Sequence, residues 1–174
     1  GFSSIIRDKL SNNIIYAGGK STNDTGVLWM WNGNSWSQVG NAVESAYQFT
    51  DIIQDESGNI YAAGTAAISF LNTRGCVWKW DGNSWSQVGG SNISTVSTFG
   101  SLAQDESGNI YAGGQSTSPS NGVVWKWDGS SWSQLGGNVT SANAFVPILR
   151  DRFGNIYAGG ATTNATSAGL WLYH

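Results

Sequence analysis

The chain has 174 residues, of which 24 are Gly and 10 are Trp, with 40% apolar and only 11% charged residues. A chain of this length and apolar content buries a core of its own, so the low charge does not mean disorder. Eight basic and eleven acidic residues, scattered and summing to −3, offer no stripe for phosphates and argue against a nucleic-acid partner. One Cys and one His exclude an internal disulfide, a thiolate metal site and a His cluster, so no metal and no cofactor is expected. No apolar run is long enough for a transmembrane helix, and the opening GFSSIIRD has no leader pattern.

Taken in chain order, the sequence repeats itself. The first unit opens an apolar segment at Phe2 and closes it on Asp8, runs through IIYAGG to Gly19, and continues with LWMWNGNSWSQVG from Leu28. The second has Phe49 and Asp55, IYAAG to Gly64, and VWKWDGNSWSQVG from Val77. The third has Phe99 and Asp105, IYAGG to Gly114, and VWKWDGSSWSQLG from Val124. The fourth has Phe145 and Asp151, IYAGG to Gly160, and the short LWLYH from Leu170. Tyr16, Tyr61, Tyr111 and Tyr157 are spaced by 45, 50 and 46 residues, so the chain is four copies of one unit, about 1–43, 44–92, 93–139 and 140–174.

Within a unit the apolar period is two, as in VWKW, where both Trp take one face. Four strands per unit follow: a (99–104 in the third copy), b (109–113), c (123–127) and d (132–135), with the diglycine closing b. DESGN between a and b and DGNS or DGSS between c and d carry the Asp, Asn and Gly that tight turns need. A lone four-stranded meander exposes both faces, so it must stack on its copies, and radial stacking of units this long gives an all-β propeller with a-strands lining the channel. Pro147 in strand a of the fourth copy fits such an edge. The fourth unit has no W-S-Q-V-G strand, which leaves three readings: a four-bladed disc with one three-stranded blade, two chains closing a ring of up to eight blades, or a segment of a longer array.

The diglycine, the aromatic pair in c and the Trp opening d resemble a kelch-type blade, while D-x-x-G-N-I-Y and W-S-Q-V-G-G are similar to tectonin-type and bacterial lectin propellers. The resemblance covers almost the whole chain and implies the fold; those families include sugar-binding proteins, scaffolds and enzymes.

Ten tryptophans invite a sugar-stacking reading, but all fall in three repeat positions, as interblade packing requires: Trp29, Trp78, Trp125 and Trp171; Trp31, Trp80 and Trp127; Trp36, Trp85 and Trp132. In DESGN the oxygens alternate as in a calcium loop, but the Gly falls too early and no bidentate Glu follows, so an Asp capping its own turn accounts for them. Asp55 with Glu56 and Asp105 with Glu106 read as solvated turn charges rather than acid and base. Arg7, Gln54, Gln104 and Arg150 precede the closing Asp of each unit and either ring one mouth of the channel, where two Arg would draw a small anion, or pair with that Asp. The sequons at Asn23, Asn92, Asn138 and Asn164 are acceptors only in a secreted eukaryotic chain, and Cys76 reads as a small buried apolar residue.

Variation collects in the b–c segments (KSTNDTG, TAAISFLNTRG, QSTSPSNG, ATTNATSAG) and the d–a connections, which an antiparallel meander puts at one end of the disc. Tyr47, Phe70, Asn72, Arg74, Asn23, Asn121 and Asn164 are the candidate ligand contacts there; Phe153, the remaining non-repeating aromatic, lies in an a–b turn. The leading expectation is a non-catalytic binding module for a glycan or a protein. The alternatives are a structural or adhesive repeat segment of a larger surface or secreted protein, and half of a ring completed by a second chain. An enzyme would need histidines, a nucleophile motif or convergent acids that the sequence lacks. Abundant Ser, Thr, Asn and Gly point to an extracellular or cell-surface location.

Overall fold

The computed structural model describes residues 1–69, 72–163 and 168–173, the side chains of 67–69 excepted. Its regular structure is strand, and no helix is long and apolar enough to cross a membrane. The first sheet is β1 (Phe2–Arg7), β2 (Ile15–Lys20), β3 (Gly26–Trp31) and β4 (Trp36–Gln38). The second is β5 (Gln48–Gln54), β6 (Ile60–Ser69), β7 (Asn72–Trp80) and β8 (Trp85–Gln87). The third is β9 (Val96–Gln104), β10 (Ile110–Ser116), β11 (Gly122–Trp127) and β12 (Trp132–Val139), and the fourth is β13 (Ile148–Arg150), β14 (Ile156–Ala161) and β15 (Ala168–Tyr173). Within each sheet every strand pairs antiparallel with its neighbour in the chain, so each sheet is a meander and the fold is a β-propeller of four blades, the last three-stranded among the described residues.

The turns form for local reasons. In the c–d turn of the second blade Asp81 Oδ1 accepts the N–H groups of Asn83 and Ser84 at 2.9 and 2.8 Å, and Gly82 takes φ +95°, a region closed to most side chains. In the a–b turn Asp55 Oδ1 accepts from the N–H of Ser57 and Asn59, and Oδ2 from Asn59 Nδ2 at 2.7 Å. The carboxylates of Asp55, Asp105 and Asp151 are spent in this way, so the alternating oxygens are turn caps.

Three apolar layers join the blades. Phe49, Ile52, Ile60 and Ala62 of the second blade press on Leu28 and Tyr16 of the first; Phe99, Leu102, Ile110 and Ala112 press on Val77 and Tyr61; Phe145, Ile148, Ile156 and Ala158 press on Val124 and Tyr111. Each blade thus has a front, carrying the Phe and the indoles, and a back that receives the front of the next. Trp85 lies 5.2 Å from Phe49 and 5.6 Å from Trp80, and Trp132 lies 5.9 Å from Phe99 and 5.7 Å from Trp127, which gathers the rings on the second and third fronts. Across the seams a Cβ on Gly40 would run into the Trp80 ring, and Trp132 Nε1 donates to Val88 O at 3.0 Å, so these indoles pack against the preceding blade.

Near the axis the a-strands are stitched by polar groups. Ser4 Oγ donates to Asp51 Oδ1 at 2.8 Å, Asp51 Oδ2 accepts the Leu102 N–H at 2.8 Å, and Ser101 Oγ accepts the Ile148 N–H at 3.1 Å. The Ile52 N–H also reaches Ser4 Oγ at 3.3 Å, so the residue before Ile5, Ile52 or Leu102 accepts the N–H of the corresponding residue in the next blade. In the fourth blade that position is Pro147, and β13 shortens to three residues beside it.

Two sequence expectations change here. The diglycine does not close strand b: β2, β6, β10 and β14 continue past Gly19, Gly64, Gly114 and Gly160. A Cβ at those four positions would run into the carbonyl oxygens of Gly1, Gln48, Thr98 and Ala144, because the backbone of strand a, bulged in the first three blades, or of the segment before β13 in the fourth, presses on strand b there. The second b–c segment is also not a loop. Thr65 pairs Gly75, Ala66 pairs Arg74 and Ala67 pairs Thr73, so β6 and β7 continue their hairpin ladder through it on both sides of residues 70 and 71.

Candidate functional site

The d–a connections lie against the starts of the c-strands. Gly26 N–H donates to Ala46 O at 2.8 Å, Val43 N–H to Gly26 O at 2.8 Å, Tyr47 N–H to Thr65 O at 2.7 Å and Gly122 N–H to Ala142 O at 2.7 Å. The variable segments therefore share one end of the blades, and the near-invariant a–b and c–d turns share the other.

At the variable end the junction of the first two blades gathers polar groups around an aromatic ring. Lys20 Nζ, at the end of β2, donates to Tyr47 Oη at 3.0 Å, stands 4.3 Å from the ring centroid of Tyr47 and lies 2.7 Å from Asp24 Oδ1. The carboxylate of Asp24, then the phenol oxygen, hold the Lys20 ammonium above its usual range. Asp24 reaches this place with φ +58°, in a turn closed by Ser21, whose Oγ takes the N–H groups of Asn23 and Thr25. Asn23 lines a cavity of about 550 Å³ with Lys20, Ser21, Thr25, Trp29 and Gln38.

Beyond Tyr47 rises the β6–β7 hairpin. The backbone of Tyr47 is tied to Thr65, one ladder position from the Ala66–Arg74 pair. Arg74 is half-buried, its guanidinium donating to Thr73 O at 2.9 Å, and Asn72, at the start of β7, is exposed. Of the residues expected from the sequence, the structure thus brings Asn23, Tyr47, Asn72 and Arg74 to one end of the molecule. It takes Asn121 away: that residue is buried, its N–H accepted by Ser116 Oγ at 3.0 Å and its carbonyl accepting the Ser116 N–H at 2.9 Å. Asn121 pins the third b–c segment and presents nothing. Phe70 and Asn164 lie outside the described residues. Lys20 and Asp24 escaped sequence reasoning although they flank Asn23; two of the chain's few charges, four apart in one variable segment, were the available signal.

The channel-mouth residues sit at the opposite end, each with its own occupation. Gln54 is buried, its amide donating to Asp8 Oδ1 of the first blade and accepting the Lys9 N–H at 2.6 Å. Gln104 Nε2 reaches Gly108 O at 3.4 Å. Arg150 is 3.9 Å from Glu106 of the third blade and has no ion pair with Asp151, and Arg7 is exposed. Arg7, Gln54 and Gln104 line one cavity with Lys9; Gln104 and Arg150 line an adjoining one of about 530 Å³ with Lys9, Glu56 and Glu106. Acid and base are mixed there, with Lys9 bridging to Glu56 at 2.6 Å. Phe153, 77% exposed with Arg152 4.8 Å above its ring, belongs to this end as well. Among the described residues no three His, Cys, Asp or Glu side chains are placed to hold a metal ion.

No protein-family model and no curated protein matches the chain. Solved structures do. PorZ of Porphyromonas gingivalis, an essential bacterial surface component of the type-IX secretion system, superposes with TM-score 0.63 at 14% identity over 93% of this chain and 24% of its own. A fucose lectin from Kordia zhangzhouensis, solved with methyl-fucoside, gives 0.52 at 17% identity over 78% of this chain and 99% of its own. An endo-arabinanase from Bacillus licheniformis gives 0.52 at 14% over 97% and 68%. The chain spans only 24% of PorZ and 64% of a further match, from Dyadobacter fermentans. At these identities the likeness is one of fold, extends to propellers in general, and is compatible with a binding or structural module.

Proposed function

We propose that the chain is a non-catalytic binding module that takes a glycan on its variable end, at the junction of the first two blades. The observation that carries this reading is the cluster of Lys20, Asp24 and Tyr47, flanked by Asn23 and the Arg74 hairpin. A cation, a carboxylate, a phenol and amides around an aromatic ring supply both donors and acceptors for a polyol and an apolar face for its C–H groups. Rigid blades hold these groups on segments that differ from unit to unit, which is how a scaffold gains specificity without changing its core. The likeness to the fucose lectin and to a bacterial surface component favours a glycan ligand and an extracellular place of work.

The test is a glycan array probed with the purified chain. Binding to a defined glycan set, lost in Tyr47→Ala and in Lys20→Ala but kept in Phe153→Ala at the other end, is the expected result. A blank array removes the glycan reading and leaves a protein ligand; binding abolished by Phe153→Ala and untouched by Tyr47→Ala moves the site to the wrong end.

A further inference from the structure

Among the described residues, nothing covers the first front or the fourth back. Phe2 is 61% exposed where Phe49, Phe99 and Phe145 are 0%, and Ile5 is 64% exposed where Ile52 is 1%. At the other end Leu170 is 71% exposed where Leu28, Val77 and Val124 are 1, 2 and 0%. Beside it Leu149, Leu172 and Val146 are exposed, and Pro147, Leu149, Tyr157, Gly159 and Leu170 line an apolar cavity of about 360 Å³. The first front nevertheless keeps the whole set of packing residues of the covered fronts: Phe2, Ile5, Ala17, Trp29, Trp31 and Trp36.

The fit between blades follows a size rule. A Cβ on Gly18 would stand 2.5 Å from Ile52 Cγ2, and one on Gly113 would meet Ile148 Cγ2, so a glycine in the back accommodates the branch of an isoleucine in the next front. Where the back has Ala63, the next front has Leu102, unbranched at Cβ, in the same buried cluster. The fourth back has Gly159 at this position, and the uncovered front has Ile5. Among the described residues the free back carries the small residue that the free front requires.

We propose that a second copy of this chain covers these faces, the front of each first blade seating on the back of the other copy's fourth blade. One front and one back per chain make the contact head-to-tail, and two such contacts close a twofold ring. Four blades per copy make that ring eight-bladed, the upper end of the range that propellers occupy, and a third copy would exceed it. The pairing continues a contact already made three times within the chain. It is weaker than those three in identifiable places. Ala168 stands where Gly26, Gly75 and Gly122 receive the incoming Phe, Pro147 stands where Ser4, Asp51 and Ser101 supply a hydrogen-bond acceptor, and the described fourth sheet has no outer strand to meet Trp36.

Sedimentation equilibrium of the 174-residue chain over a range of concentration tests this. The expected mass is twice 18.5 kDa. Ile5→Asp and Leu170→Asp each give a monomer with an unchanged far-ultraviolet spectrum, and mixing the two variants restores a dimer through the one intact contact. Gly159→Ala raises the dimer dissociation constant by roughly tenfold or more, and Ile5→Leu in that background restores it, following the Ala63–Leu102 pairing. Ala168→Gly lowers it. A chain monomeric at every concentration overturns the proposal, as does a dimer indifferent to Ile5→Asp, which would be back-to-back, or indifferent to Gly159→Ala.

Discussion

Replacing Gly18 by Ala adds one methyl group to the back of the first blade, 2.5 Å from Ile52 Cγ2. Both atoms are fixed: Gly18 lies mid-strand in β2, and Ile52 is 1% exposed in the interblade layer. Overpacking of this kind costs about 1–3 kcal/mol. Against that, Ala in place of Gly in a strand returns about 0.5–1 kcal/mol through the unfolded chain. The single variant is therefore destabilised by up to about 2.5 kcal/mol, with a midpoint of about 1 kcal/mol. In an Ile52→Leu background the branch at Cβ is gone, the arrangement matches Ala63 with Leu102, and the same Gly18→Ala change becomes neutral or stabilising by about 0.5 kcal/mol. Urea unfolding of the four members of this double-mutant cycle measures the coupling, expected at about 1–3 kcal/mol. A coupling below about 0.5 kcal/mol would refute the size rule and, with it, the complementarity of Gly159 and Ile5.

Asp51→Ala removes the carboxylate that joins Ser4 of the first blade to the Leu102 N–H of the third and leaves that buried N–H unpaired; a loss of about 2–4 kcal/mol by urea unfolding is expected, and Asp51→Asn should recover part of it. Acid should unfold the protein in a defined window. Backbone N–H groups of Ser131 and Ser130 hold the Asp128 carboxyl down at about 2; at Asp151 the Asn155 amide lowers it; at Asp105 burial pushes upward but the Asn109, Tyr111 and Ser107 donors win. Groups with a depressed folded pKa contribute stability above their unfolded value near 4 and lose it as pH falls towards about 2, so the melting temperature should drop across that interval, and Asp128→Asn should flatten the slope. Burial pushes the Cys76 thiol up to about 12, so thiol reagents should leave it unmodified until the chain unfolds; prompt labelling of native protein would contradict the packing of the second blade.

The period-two patterning and the fourfold repetition were enough to place the strands and their turns, because the turn residues do their work within a few positions of themselves. What escaped the sequence depends on contacts between segments far apart. The second glycine of each pair looks like a strand end and is a response to a bulge in strand a. TAAISFLNTRG varies as a loop would, yet Thr65, Ala66 and Ala67 pair with Gly75, Arg74 and Thr73 and extend a ladder that no single segment announces. Asn121 looked like its exposed counterparts in the variable segments, and only the backbone bonds to Ser116 reveal that it turns inward. Of the two readings open for Arg150, a place at the channel mouth or pairing with its chain neighbour Asp151, the second does not hold: its guanidinium lies 3.9 Å from Glu106, one blade away. Tyr47 stands out because it does not repeat, but its partner Lys20, and the Asp24 that pairs with that lysine, come from the preceding unit and no local pattern joins them to it.

The a-strand stitches run only between consecutive blades, from Ser4 to Asp51, Asp51 to Leu102 and Ser101 to Ile148. Stability in such an arrangement is a sum of neighbour terms, so opening starts at a terminus and travels inward. Amide hydrogens of β9 and β10 should exchange last, and those of β1 and β14 first. A closed ring has no terminus from which to open. If copies pair as argued above, exchange at β1 and β14 slows as the protein is concentrated while that at β9 and β10 stays constant, and the kinetics of a few amides become a gauge of assembly.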